Sequence, residues 1–588
     1  MTPAVADLQA PPRPVACVID HLGRDPHVAT AARRGEFSHA GATLRLGRRP
    51  DWLAEHVADV EWRIEWVKLY EGLDLAHAFG VTGEPDYLRA WEDLVEAFLD
   101  QVPVDHDPAD VTARRISNWV YAWQRFAAAP GFAGLRPGLG RRLRARILAD
   151  AEHVRTHLTG ERNHRTLELY ALLVVALAFD APREEAAAVL QLLTENAVTD
   201  VLPDGVHREA STDYHCIVLR SLLGAVANAR ASRLDVPGPL LERVRLACDF
   251  AMHVQRPDGL TPAVSDGDVG DFRHLLQLAA DVLRRPDLAW VGSGGTYGRP
   301  PARRHVSFPL GGYHVQRSGW GQGARAYAEE RFALFDAGPL GDGGHGHYDQ
   351  LSVELYAAGQ PLVVDPGRYT YDAAHGDWRR AFKGTAAHNT VTVDGRDQVP
   401  FRAGKPRGEL SAARLLGRTT TDRLDVLQGQ VVSPCYDAVH TRTVALVDDD
   451  YWVVHDRLRA PSPHVYQARW HLDPLAEGSA RLAQGGGLVT APGLALHTGG
   501  DGVAGLEPGW VSPAYGVRRP APVATITTPA RCDADLVTVV VPGGTGAHEV
   551  CVTVSEEVVE VTLRRGARSE RVRWRTRDLA GRVRSQPC

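Results

Sequence analysis

The spacing of apolar residues changes period once along the chain, and that switch limits the folds open to it. From Trp52 to about residue 291 the spacing is helical. Trp62, Trp66 and Tyr70 recur every four residues, and Tyr87, Leu88, Trp91, Leu94, Val95, Phe98 and Leu99 fill one stripe. Thr82-Gly-Glu-Pro ahead of that stripe reads as a helix start. Further helices are expected over 116–127, 139–158, 165–179, 184–198, 214–231 and 240–254. Short Gly, Pro or Asp turns separate them, so antiparallel hairpins are expected; no fixed repeat length emerges. Residues 292–304, GSGGTYGRPPARR, read as a linker. Beyond them β-branched alternation takes over, in the runs 391–393, 451–454, 537–541, 550–554 and 559–563. Strands without long helices between them predict an antiparallel, sandwich-like domain. The chain therefore reads as multidomain, helical then β: an irregular lead-in at 1–50, a helical domain at 51–291, the linker, and a β domain at 305–588.

A chain of 588 residues exceeds what a single core organises, and 44% hydrophobic with 23% charged residues is ordinary globular composition. The net charge of −6 argues against a general nucleic-acid binder. It also offers no global attraction to a polyanion, so an acidic substrate must meet a local basic patch. Seven widely spaced cysteines without a CxxC pair indicate neither a zinc ribbon nor a disulfide framework. The N-terminus lacks the basic start and apolar run of a secretion signal, and the longest apolar run, near 169–179, is too short for a bilayer. The expectation is a cytoplasmic protein with no membrane or nucleic-acid partner; a homo-oligomer stays open.

Titratable residues crowd the stretch from Gly341 to Gly395. His345 and His347 sit two apart ahead of the alternating Leu351, Val353 and Leu355, so a strand starting at His345 would point both rings to one face. Asp365 and His388 follow, beside a Gly/Pro turn and a β-branched run. Two imidazoles and a carboxylate make a divalent-metal set, with one histidine left for chemistry. Two stretches in the helical part place polar groups at the mouth of an apolar helix, where backbone N–H groups are unsatisfied. One is Arg162-Asn163-His164-Arg165; the other runs from Asp204 through His207, Arg208, Glu209 and Ser211 to Tyr214 and His215. Asn163 and Ser211 read equally as helix caps. Trp119, Tyr121 and Trp123 read as core, leaving Arg115 and Asn118 as weaker sugar contacts.

The Gly-rich loop with His-Gly-His, the Val-Asp-Pro-Gly and Ala-His-Asn-Thr runs, Asn-His at one helix start and Glu-x-Ser-x-x-Tyr-His at another resemble the heparinase II/III-like polysaccharide lyases, the alginate lyase and heparinase type. The resemblance covers roughly residues 60–400 in order. It implies an incomplete α/α toroid followed by a β-sandwich, and cleavage of a uronate-containing poly- or oligosaccharide by β-elimination. It further implies Asn163 and His164 as neutralisers of the uronate carboxylate and Tyr214 as acid, and as base too when both groups lie on one face of the sugar. His345 is the alternative base, with Arg162, Arg165, Arg208 and Glu209 as substrate contacts; Arg368 and Tyr369, in the turn after Asp365, read equally as sugar contacts or as turn residues. Zinc, held by His347, Asp365 and His388 in a structural role, is the implied cofactor, with no organic cofactor. Two other readings stay open: a cytosolic tailoring enzyme acting on a smaller biosynthetic intermediate, and a non-catalytic carbohydrate-binding protein. A glycosidase would need two carboxylates flanking the bond, and Asp204 with Glu209 sit in a lyase-like context instead.

Overall fold

The structure is a computed structural model that describes residues 9–19, 24–342, 344–372, 376–544, 548–555, 557–566, 568–575 and 584–587. The chain divides into two compact units. One runs to Val201 and adds Ile217–Arg245; the other takes Leu202–Cys216 and everything from Leu246 onward.

The first unit is built from helical hairpins. Glu71–Thr82, Ala109–Ala128 and Arg162–Ala178 pack on one another in succession, while Pro85–Gln101 and Leu139–Thr156 pack together as a second layer. This is the two-layer hairpin arrangement of an incomplete α/α toroid. Local chemistry fixes the boundaries. Glu71–Thr82 ends at Gly83, whose φ of 70° is the left-handed cap that glycine adopts without a Cβ clash. Pro85 opens the next helix, where its missing N–H costs nothing. The helix expected from residue 116 starts at Ala109, because its polar first turns carry no apolar stripe. Trp119, Tyr121 and Trp123 are at most 2% exposed, which makes them core. The lead-in is more regular than expected: a helix Pro26–Arg33, capped by Asp25, precedes a hairpin of Glu36–His39 and Ala42–Arg45.

The second unit holds the sheets. It also takes in the helices Arg273–Leu283 and Pro286–Gly292 and the Gly-rich 292–304 segment. All named sheets are antiparallel. A five-stranded sheet spans Val306–Val363, and an eight-stranded sheet centres on Tyr451–His464 and Arg531–Pro542. Two four-stranded sheets comprise Val391–Val393, Tyr466–His471, Val503–Ala514 and Val517–Thr527, and the C-terminal strands from His548 onward. Period-2 burial explains the layering. Leu536 and Val540 join the core shared with the five-stranded sheet, whereas Val537, Val539 and Val541 join the core under the C-terminal strands. The expected strand runs at 391–393, 451–454, 537–541, 550–554 and 559–563 all fall within observed strands. No disulfide joins any two of the six described cysteines, and no helix among the described residues is long and apolar enough to cross a membrane.

Candidate active site

A network of polar side chains lies in the second unit, on four loops. Ser211 starts the helix Thr212–Ala231: its Oγ accepts from the Tyr214 N–H at 3.4 Å and donates to the Asp266 carbonyl at 3.1 Å. The cap expected from sequence therefore also ties the Tyr214 turn to the loop after Thr261. From that loop the Asp266 N–H donates to the His345 carbonyl at 3.0 Å. His345 and His347 were expected on a strand, but the strand begins only at Val353, after Leu351 in left-handed backbone (φ 64°). The two rings still converge, because both bind one carboxylate. His345 Nδ1 lies 3.1 Å and His347 Nε2 2.8 Å from the two Asp266 oxygens. Gly346 between them is obligatory, since a Cβ there would sit 1.5 Å from the Leu340 carbonyl oxygen.

Tyr214 and His345 stack face to face, with centroids 3.9 Å apart and planes 24° from parallel. The Tyr214 hydroxyl lies 3.1 Å from that of Tyr371, which accepts from Arg368 Nη1 at 2.9 Å. Arg368 in turn forms a two-pronged pair with Asp268, at 2.9 and 2.8 Å. Burial, with Tyr214 and Asp266 nearby, pushes the Tyr371 hydroxyl well above the usual tyrosine range, so it stays protonated. Its oxygen accepts from Arg368, and either of the two tyrosine hydroxyls can donate to the other.

Asp266 is the hub. It is 1% exposed, and Arg379 grips both of its oxygens, one of them at 2.8 Å. Burial alone would raise this carboxyl, but Arg379 and the two histidines hold it well below the usual carboxylate range. Ionised Asp266 is an acceptor for His345 Nδ1, which turns His345 Nε2 away from it. Glu209 approaches His345 Nε2 at 3.7 Å, and Arg208 is tied to Asp342. Lys383, fully buried, donates to the Gly344 carbonyl at 2.6 Å and steadies the His-Gly-His loop. Ala210, Ser265 and Tyr369, each adjacent to Glu209, Asp266 or Arg368, hold left-handed φ values of 54°, 62° and 55°. Such strain, about 1–3 kcal/mol per residue, concentrates at functional loops.

The metal set expected from sequence is assembled. His347, Asp365 and His388 are buried, with ligand atoms within 4.8 Å of one another. The donor chemistry fits a metal. Asp266, outside the set, binds His347 Nε2 and fixes that ring's outer nitrogen, while Asp365 lies 3.0 Å from His388 Nδ1 within the set. His347 Nδ1 and His388 Nε2 are left buried without a hydrogen-bond partner. Burial pushes His347 down to about 4, leaving it neutral. Burial opposes charge on His388 too, yet Asp365 and Asp349 raise its pKa, so the pocket favours a positive charge that either a proton or a metal supplies.

The helical unit carries the remaining expected residues. Asn163 is buried and His164 exposed in the first turn of Arg162–Ala178, whose start is fixed by Arg162 N–H donating to Asp200 at 2.7 Å. Arg162 pairs with Glu161, and Arg165 donates to the Thr159 carbonyl. Asn118 donates to the Lys68 carbonyl and borders a small cavity with Tyr70, Arg114 and Arg220. Arg115 departs from expectation: it is 0% exposed and pairs with the buried Asp107 and Asp150, so its charge is spent on joining helices. Sequence reasoning missed Asp266, Arg379 and Lys383. The Ser-Asp-Gly-Asp run at 265–268 and Trp-Arg-Arg at 378–380 were visible, but only the fold shows that they meet.

Residues 34–284 match the family described as Heparinase II/III N-terminus, and residues 300–563 match Heparinase II/III-like, C-terminal. The chain belongs to the heparinase II/III-like family. A heparin-sulfate lyase of Bacteroides thetaiotaomicron is 27% identical over 236 residues, 37% of this chain and 34% of that protein, so the match spans about a third of that relative's length. A crystal structure of heparinase III aligns with a TM-score of 0.78 at 16% identity, covering 96% of this chain and 91% of that one. Heparan sulfate lyase HepC from Pedobacter heparinus aligns with a TM-score of 0.63 at 20% identity, covering 98% and 90%. At such identities these likenesses establish the heparinase fold of toroid and antiparallel β domain.

Proposed function

We propose that this heparinase II/III-like chain is a polysaccharide lyase that cleaves a uronate-containing poly- or oligosaccharide by β-elimination, with Tyr214 and His345 at the reacting carbon. The stacked Tyr214–His345 pair, backed by Tyr371 and Arg368, carries the reading. A uronate C5 proton is weakly acidic because the adjacent carboxylate is already charged, so the base must be strong and well supported. A tyrosine with a reference pKa of about 10 qualifies once its anion is stabilised. Tyr371, bonded by Arg368 and 3.1 Å from Tyr214 Oη, can donate to that oxygen and so favour the anion.

In this reading Tyr214 removes the C5 proton and the C4–O bond breaks as the C4–C5 double bond forms. The departing oxygen then takes its proton from Tyr214. His345 Nε2 serves as the base for the opposite uronate stereochemistry. Asn163 and His164 are assigned to the charge that builds on the carboxylate, where losing one donor typically costs about 10²- to 10³-fold. Arg162, Arg165, Arg208, Glu209, Arg368, Tyr369 and Asn118 are assigned to holding the saccharide; Arg115 is left out because it is enclosed. Zinc bound by His347, Asp365 and His388 would cross-link the loops that carry His345, as a structural metal.

The test is incubation of the purified chain with heparan-type, alginate and glucuronan substrates, read by ultraviolet absorbance. Appearance of the unsaturated uronate chromophore is expected with at least one of them. Reducing ends formed without a chromophore would indicate hydrolysis and refute the lyase assignment.

A further inference from the structure

We propose that Tyr369, Trp378, Trp510 and Arg518 form a second saccharide subsite, one that takes a carboxylated or sulfated sugar unit of the same chain beside the unit being cleaved. The proposal rests on the lyase reading above. Three segments build the cluster: the loop after Asp365, the short helix Trp378–Lys383, and the hairpin of Val503–Ala514 with Val517–Thr527. The Arg518 guanidinium lies 3.7 Å from the Trp378 ring centroid, 4.7 Å from that of Trp510 and 5.2 Å from that of Tyr369. Trp378 and Trp510 stand edge to face at 5.9 Å, as do Tyr369 and Trp378 at 5.8 Å.

Two features set this cluster apart from packing. First, Arg518 lacks a carboxylate partner among the described residues. Arg208, Arg368 and Arg379 each pair with a carboxylate, whereas no ion pair to Arg518 occurs among the described residues, and its Nη1 makes no hydrogen bond. Aromatic faces hold a guanidinium in place without using its in-plane donors; with Nη1 enclosed, the Nε–Nη2 edge is the one left for a two-pronged grip on a carboxylate or sulfate. Second, Trp510 is 38% exposed on an edge strand, so part of its indole reaches solvent beside Arg518. A flat ring beside an anchored guanidinium complements an acidic sugar, apolar face and charged edge together.

The cluster is continuous with the reacting tyrosines. Gly516 N–H donates to the Tyr369 carbonyl at 2.8 Å, and the Tyr371 N–H donates to the Tyr515 hydroxyl at 3.1 Å. Tyr369 and Tyr371 are two residues apart, which limits their Cα separation to about 7 Å. Their rings part because Tyr369 sits at a φ of 55°: one joins Trp378 and Arg518, the other Tyr214. A chain seated on Tyr214 would thus lay its neighbouring unit toward Arg518.

The test uses the full chain and size-fractionated heparan sulfate octasaccharides, intact and desulfated. Steady-state rates are read by chromophore formation, and Kd by quenching of tryptophan fluorescence. Arg518→Gln and Trp510→Ala are each expected to raise KM about tenfold while kcat moves less than twofold, the split that lost ground-state binding produces. Arg518→Lys, which keeps the charge without the planar fork, should fall between, and melting curves should match the wild type. A KM within twofold of wild type for both variants overturns the subsite. If the wild type forms no chromophore with any uronate chain, the lyase reading fails and Kd decides alone. Tenfold weaker octasaccharide binding in Arg518→Gln then upholds the subsite. Unchanged Kd, or no binding by the wild type, overturns it.

Discussion

Asp266 serves two histidines and one arginine with its two oxygens, so a single substitution there tests the wiring of the site. Asp266→Asn keeps the shape but removes the charge that Arg379 balances and the acceptor that fixes both imidazole tautomers. The expected outcome is a fall of about 10- to 100-fold in kcat and in metal affinity, with circular dichroism unchanged. Activity and bound metal both at wild-type levels would remove Asp266 from the mechanism. This residue also marks the limit of reading from sequence. His345, His347, Asp365 and His388 announce themselves by residue type and local spacing. Asp266 sits 79 residues before His345 in an unremarkable Ser-Asp-Gly-Asp loop, and its role exists only once Arg379 closes on it.

At the scale of elements, the loops of the site hang on the eight-stranded sheet. Arg442 and Asp456, on adjacent strands, are both 0% exposed and joined through two hydrogen bonds, with His440 on the same carboxylate at 2.7 Å. Arg442 also donates to the carbonyls of Leu351 and Asn389, beside the strand after His347 and beside His388. Asp456→Ala leaves that arginine buried and unpaired, and a loss of about 3–5 kcal/mol in unfolding free energy is expected by denaturant titration. A change below about 1 kcal/mol would mean the pair is dispensable. Element types were legible throughout, because periods of 3.6 and 2 are written in residues such as Trp91–Leu94–Val95 and Val537–Val541. Element partnership was not. The helices Arg273–Leu283 and Pro286–Gly292 look like a continuation of the toroid, yet long-range packing assigns them to the β unit, a choice no local period records.

For the whole molecule, buried histidines set the acid limit. Burial pushes His207 and His314 down to about 3 and His215 and His253 down to about 4, from an ordinary value of 6.5. Between those values and 6.5 the unfolded chain binds more protons than the folded one. The stability held by these neutral rings is therefore fully present above pH 6.5 and lost as pH falls through about 4. Buried carboxyls work the opposite way: burial raises Glu354 to about 7 and Asp74 and Asp349 to about 6, which offsets part of the histidine contribution. Calorimetry should show Tm dropping steeply from pH 6.5 to 4, with a shallower fall in His314→Leu; a flat Tm across that window would contradict this balance. The most direct measurement of the catalytic claim is the initial rate of ultraviolet absorbance on a cleavable uronate chain for wild type and Tyr214→Phe, with binding followed in parallel. Removing one hydroxyl should cut kcat by about 10³-fold or more while Kd stays within about threefold. A Tyr214→Phe enzyme that turns over at the wild-type rate would contradict it.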